Sequence, residues 1–175
     1  EVDCENEPND GKVYILKRNA DDKTPLAGAV LEIYAADANG NKTGDALEQW
    51  TSDTTAHEVK VKLTRNKTYV LHEVSAPTGF TVAADQTFVA PSKDATLEVV
   101  MDDKAIVGEV RLVKYEKGKT DTLSGAEFNL YKKDGTLVHA DNTATAGVYK
   151  YSSSVKNTRL VVNSNGVIRV SGLPY

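Results

Sequence analysis

"YVLHEVSAPTGF", residues 69 to 80, places Glu73 in phase with Tyr69 and Leu71 and then breaks at Pro77 and Gly79. Successive side chains of an extended strand point to opposite faces, so Tyr69, Leu71 and Glu73 share one face. If the apolar face is the buried one, the carboxyl costs several kcal/mol unless it is protonated, paired or hydrogen-bonded. A partner for Glu73 must come from elsewhere in the chain.

Strand alternation supplies two candidates. In "VYILK" (13–17), Lys17 shares its face with Val13 and Ile15. In "TLEVVMDD" (96–103), Asp103 shares its face with Leu97, Val99 and Met101, whereas Asp102 lies with Glu98 and Val100. Lys17, Glu73 and Asp103 therefore project inward from a first, a middle and a last strand. One reading is a buried salt-bridge network, in which desolvation nearly cancels the attraction. The other is chemical: an apolar pocket disfavours the charged forms of an amine and a carboxyl alike, and a neutral amine is a nucleophile. Lys17 then attacks the Asp103 carboxyl carbon, Glu73 shuttles protons, and water leaves behind an amide. Asp102 is the fallback acceptor if the strand is out of register by one.

Around these runs the chain reads as short alternating or β-branched segments, "KVYILK", "AVLEIY", "EVKVKL", "TYVLHE", "QTFVA" and "TLEVVM", parted by turn clusters such as "DANGN", "TRNK" and "APTG". With almost no helical periodicity, this predicts an all-β fold, an antiparallel β-sandwich of the prealbumin or immunoglobulin-like kind. The pattern then recurs. "VYILK" is followed by "LAGAVLEIY" (26–34), and "VRLVK" (110–114) by "LSGAEFNLY" (123–131), at a fixed offset of 97 residues. A period of that size marks tandem domains rather than a solenoid. The expected organisation is a polar leader over 1–11, a complete sandwich over 12–104, and over 105–175 the N-terminal part of a second copy, opening with "EVRLVKY" and "AEFNLYKKDGTLV". That second copy is expected to be incomplete, because the strands matching those of Glu73 and Asp103 are not among its residues. The connection "DKAIVG" is too short and apolar for a flexible tether.

Composition removes several function classes. The chain has 175 residues, 40% hydrophobic and 26% charged, with a formal charge of -4 and no run of Lys or Arg. A nucleic-acid surface and a polybasic membrane patch are both excluded, and no apolar stretch is long enough to span a bilayer. Cys4, the single cysteine, sits in the leader with no disulfide partner and no metal-sharing neighbour. His57, His72 and His139 lack ligand spacing, and "DANGNKTGD" (37–45) has Lys42 where a calcium loop requires glycine. No metal, cofactor or external-substrate active site is expected.

The blocks "KRNADDKTPLAGAVLEIY", "YVLHEVSAPTGF" and "EVVMDDK" together resemble the Cna B-type domain of Gram-positive surface adhesins and pilins. That resemblance covers residues 12–104. It implies a prealbumin-like sandwich with a self-formed intramolecular isopeptide bond, Lys17 as nucleophile, Glu73 as catalyst and Asp103 as acceptor. It places Lys114 at the nucleophile position of the second copy, where no bond is expected within this chain. It further implies a structural stalk segment of an extracellular, cell-wall-anchored protein whose partners are the neighbouring domains of the same protein. The anchor is not in this chain: no LPxTG-like sorting motif and no pilin-lysine motif occur. A second reading stays open, an adhesin module whose loops at 36–46 or 139–147 bind a host extracellular protein or glycan.

Overall fold

The computed structural model describes residues 11–175; the leader and Cys4 otherwise lie outside the described residues. The described residues divide into two compact units between Ala105 and Ile106. No described helix is long and apolar enough to cross a membrane.

The first unit contains β1 (Lys12–Asn19), β2 (Val30–Ala36), β3 (Lys42–Thr51), β4 (His57–Glu58), β5 (Thr68–Ser75), β6 (Phe80–Thr81), β7 (Gln86–Val89) and β8 (Thr96–Ala105). They form two four-stranded sheets, in the orders β4-β1-β8-β6 and β3-β2-β5-β7. Every ladder is antiparallel except that of β1 and β8, which run parallel with Lys17 opposite Met101 and Asn19 opposite Asp103. A parallel pair requires a crossover connection; here everything between the first and last strands serves as that connection. The inward faces of both sheets supply one core, including Val13, Ile15, Leu31, Ile33, Leu71, Phe88, Val99 and Met101. The sandwich expected from alternation is present, with this parallel central ladder as its exception.

One local expectation in this unit needs correction. Only His57 and Glu58 of the "EVKVKL" region are in a strand. The Glu48 carboxylate accepts the backbone N–H groups of Lys60 at 2.7 Å and Val61 at 2.8 Å, taking donors that a ladder would have used. Val59 and Val61 nonetheless pack on the core, which accounts for their apolar character. Conversely, β3 is ten residues long although its sequence does not alternate, because it is an edge strand whose side chains are mostly exposed. The β2–β3 connection is an ordinary turn: Asp37 Oδ1 accepts the N–H groups of Asn39 and Asn41, both at 2.8 Å.

The second unit contains β9 (Val107–Val113), β10 (Glu127–Phe128), β11 (Ala140–Asn142), β12 (Val148–Tyr151), β13 (Leu160–Val161) and β14 (Val167–Pro174). Its sheets are β11-β12-β14-β9 and β10-β13, around a core of Ala140, Tyr149, Leu160, Val162, Ile168 and Val170. The long "AEFNLYKKDGTLV" strand is not formed: only Glu127 and Phe128 pair in a ladder, and Tyr131 bridges Leu137 across a turn. The repeat extends to backbone detail. Leu26 donates to the Lys17 carbonyl and Leu123 to the Lys114 carbonyl, each at 2.9 Å. The bridges Arg18–Pro25 and Tyr115–Thr122 are likewise equivalent.

Leu71 is fully buried at the centre of the first unit, whereas Leu47 on β3 is 43% exposed. Leu71→Ala is expected to cost about 2–5 kcal/mol and Leu47→Ala less than about 0.5 kcal/mol. Urea unfolding followed through the fluorescence of Trp50, the single tryptophan, measures both.

Candidate functional site

The three inward ionisable residues read from alternation are brought together. Lys17, Glu73 and Asp103 are 1%, 1% and 0% exposed, deeper than most of the apolar core. Lys17 and Asp103 come from neighbouring parallel strands, and Asp103 lies two residues beyond the ladder partner of Lys17 on the same face. Side chains offset by two on one face of a sheet are within reach of a long residue. Glu73 comes from the opposing sheet, on β5, where it pairs with Leu31 beside an irregularity in the ladder.

Lys17 Nζ donates to Asp103 Oδ1 in a short contact and stands 3.0 Å from Glu73 Oε1. Glu73 is held from its other side, since its Oε2 accepts the Ala83 backbone N–H at 2.5 Å. This answers why β5 breaks where it does. Phe80 N–H donates to the Pro77 carbonyl at 3.0 Å, with Gly79 at φ 90° inside that turn. A left-handed conformation at this position is natural to glycine. The turn sends the chain through β6 and returns Ala83 to the glutamate.

Two buried oxygens carry no hydrogen-bond partner among the described residues, Glu73 Oε1 and Asp103 Oδ2. With one ammonium and two carboxylates the cluster would hold a net negative charge out of water, which is strongly disfavoured, so a proton belongs among the carboxyls. Burial pushes the Asp103 carboxyl up to about 6, partly opposed by its hydrogen bond to Lys17 and reinforced by the neighbouring Glu73. A shallow cleft of about 380 Å³ lies alongside, lined in part by Ala83, Met101 and Lys104.

Asp102 is not an alternative to Asp103 in this geometry. It pairs with Arg18 in the ladder and bonds to Arg18 and Lys23, with nearly a third of its side chain exposed. The strand is in the register that alternation gave. Lys114 occupies the matching point of the second unit, half-buried, with its N–H donating to the Gly166 carbonyl at 2.8 Å. Lys114 directly follows β9, which is at the edge of its sheet and, among the described residues, pairs with β14 alone, so none of them forms a carboxyl strand beside it as β8 lies beside Lys17.

Sequence reading missed the Ala83 N–H and the Arg18–Asp102–Lys23 group. The first is a backbone contact and leaves no mark in side-chain pattern. The second was detectable, because Arg18 and Asp102 each adjoin an inward-facing partner and so must share the outward face. Two of the three histidines make local contacts: His57 stacks on Trp50 with ring centroids 4.4 Å apart and bonds Glu48, and His72 bonds Asp85 at 2.6 Å.

Comparison with known proteins bears on the first unit above all. The family model described as "SpaA: Prealbumin-like fold domain" matches residues 11–105. Among solved structures, the Bacillus anthracis TIE protein is similar with a TM-score of 0.65 and 20% identity, over 94% of this chain and 26% of that one, so the chain spans about a quarter of its length. The shaft pilin SpaA from Lactobacillus rhamnosus GG aligns with a TM-score of 0.42 and 16% identity, over 95% of this chain and 83% of that one. The full-length major pilin SpaD from Corynebacterium diphtheriae aligns with a TM-score of 0.46 and 17% identity, over 55% of this chain and 32% of that one. No curated protein matches the chain. The TIE likeness is one of fold, and the family match covers the unit that buries Lys17, Glu73 and Asp103. On that match, and in keeping with the resemblance read from its motifs, the chain belongs to the SpaA prealbumin-like fold domain family.

Proposed function

We propose that the first unit is a self-crosslinking structural segment of a Gram-positive surface or pilus-like protein, closed by an isopeptide bond between Lys17 and Asp103. The observation that carries this reading is the complete burial of an amine between two carboxyls. An ion pair there gains little over an apolar core, whereas condensation removes two buried charges.

The chemistry balances within the three residues. With the amine neutral, Lys17 Nζ attacks Asp103 Cγ, already positioned by the contact to Oδ1. The N–Cγ bond forms and the Cγ–Oδ2 bond breaks. Oδ1 stays as the amide oxygen, and Oδ2, the oxygen with no partner, departs as water. Nitrogen sheds one of its two protons, which joins the proton already on the Asp103 carboxyl to complete that water, and Glu73 carries it across and finishes in its starting state. The raised Asp103 carboxyl favours the protonated, electrophilic form. Nothing external is transformed, so the protein is not an enzyme in the ordinary sense.

Lys17 and Asp103 are separated by 86 residues. On the loop-entropy relation developed for disulfides, such a closure stabilises by about 4–5 kcal/mol. The mechanical effect is larger in kind. A pull entering at β1 and leaving at the end of β8 crosses the bond and bypasses what lies between, as suits a stalk whose partners are neighbouring domains along the same fibre.

Force spectroscopy on the full chain held at its two ends tests this. The bonded chain is expected to show no unfolding event for the first unit. Glu73→Ala, which keeps Lys17 and Asp103 but lacks the proton carrier, is expected to add an event releasing roughly 28–31 nm of contour, the extended length of the closed segment. The same release in the unaltered chain would overturn the proposal.

A pH test follows from the Asp103 carboxyl. A buried acid whose pKa is raised binds its proton more tightly folded than unfolded, so its stabilising contribution is present at low pH and is lost as pH rises through the folded value. In Lys17→Met, which cannot form the bond and removes the cation opposing the upward shift, the urea midpoint is expected to fall between pH 4 and pH 7. Adding Asp103→Asn is expected to flatten that slope.

A further inference from the structure

Asp102 and Asp103 are adjacent carboxyls on one strand, and a slip of one residue exchanges their faces. Alternation of Val99 and Met101 toward the core favours one register, but the outward face also carries a dedicated group of charges. Arg18 meets its ladder partner Asp102 through two contacts, Nε to Oδ1 at 2.5 Å and Nη2 to Oδ2 at 3.3 Å. Lys23 Nζ reaches the same Oδ2 at 3.0 Å.

The loop after β1 is built to deliver that second cation. Asn19 N–H donates to the Thr24 carbonyl at 2.8 Å, and Lys23 N–H donates back to the Asn19 carbonyl at 3.0 Å. Asn19 Oδ1 accepts the Asp21 N–H at 2.9 Å, and Asp22 Oδ1 accepts both the N–H and hydroxyl of Thr24. Lys23 itself is held at φ 63°, an uncommon conformation for a side-chain-bearing residue. The Ala20 N–H then donates to the Asp103 carbonyl at 2.7 Å, continuing the β1–β8 contact one step past the ladder.

We propose that Arg18, Lys23 and Asp102 form a register clasp on the outer face of the β1–β8 ladder that selects Asp103, rather than Asp102, as the acceptor for Lys17. These are positioning residues, and the proposal rests on the isopeptide reading above. A slip that turned Asp102 inward would strip it of both cations, set Met101 opposite Arg18, and turn Asp103 outward, away from Lys17. The clasp also makes Asp102 a poor acceptor in its own right. The Arg18 hydrogen bond, with Lys23 behind it, holds the Asp102 carboxyl below its ordinary value, and a carboxylate anion resists attack by an amine. The strand thus presents one ionised and one buried aspartate side by side.

The test uses the full chain made by cell-free translation, stopped in denaturant at timed intervals and analysed by intact mass and peptide mapping. In the unaltered chain every cross-link is expected to join Lys17 to Asp103. In Arg18→Ala/Lys23→Ala, bond formation is expected to slow by about five- to tenfold, the scale set by losing a charge network of this kind, with a fraction of cross-links moving to Asp102. Arg18→Lys/Lys23→Arg, which keeps both charges, is expected to remain within about threefold of the unaltered rate, a rescue that simple loss of packing would not give. Unchanged rate and a single Lys17–Asp103 product in Arg18→Ala/Lys23→Ala would overturn the clasp. An unaltered chain that never loses water would overturn the bond itself and acceptor selection with it. Amide exchange at residues 18–20 then decides separately whether the clasp holds the ladder: acceleration of tenfold or more in Arg18→Ala/Lys23→Ala supports that role, and no change refutes it.

Discussion

One constraint organises the first unit: a lysine amine has been taken out of water and set between two carboxyls. The Lys17 stem needs apolar neighbours along its length and a polar destination at its tip. The apolar neighbours come from the inward faces of β1, β2, β5 and β8. The polar destination is supplied by other strands. Placing Asp103 on the adjacent strand and Glu73 on the opposing sheet satisfies the tip from two directions. It also commits the sandwich to one register and one spacing between its sheets.

The parallel pairing of β1 and β8 follows from the same need. Lys17 and Asp103 sit toward the same ends of their strands, so the last strand must run alongside the first in the same direction. Everything between them becomes a closed excursion. Under the proposed bond, a domain with an ordinary non-covalent core gains resistance to force without a disulfide. The outer clasp fits this scheme, because a reaction set by position alone depends on the ladder being held in one register while it occurs. The second unit shows the same first strand and following turn, with equivalent hydrogen bonds at Lys17 and Lys114, but its β9 has an edge where β1 has β8.

Much of this was legible in the sequence, for a physical reason. Burial on one face of a strand imposes a period of two, and an ionisable residue in phase with apolar ones is conspicuous against it; Lys17, Glu73 and Asp103 were all found this way. The 97-residue offset likewise located the matched turns at Leu26 and Leu123. What escaped detection lacked that signal. The edge strand β3 has little burial to enforce alternation. The segment 59–63 alternates because Val59, Val61 and Leu63 pack on the core, yet Glu48 takes two of its backbone donors, so periodicity there reported packing and not pairing. The Ala83 N–H that holds Glu73 depends on a backbone path set by Pro77 and Gly79, which side-chain pattern cannot reveal.

The central claim is covalent, and the intact mass of the purified chain tests it most directly, followed by mapping of the peptides that contain Lys17 and Asp103. The expected result is a deficit of one water, roughly 18 Da, with those two peptides recovered joined. The full calculated mass with both peptides free would contradict it, leaving Lys17, Glu73 and Asp103 as a buried ion network.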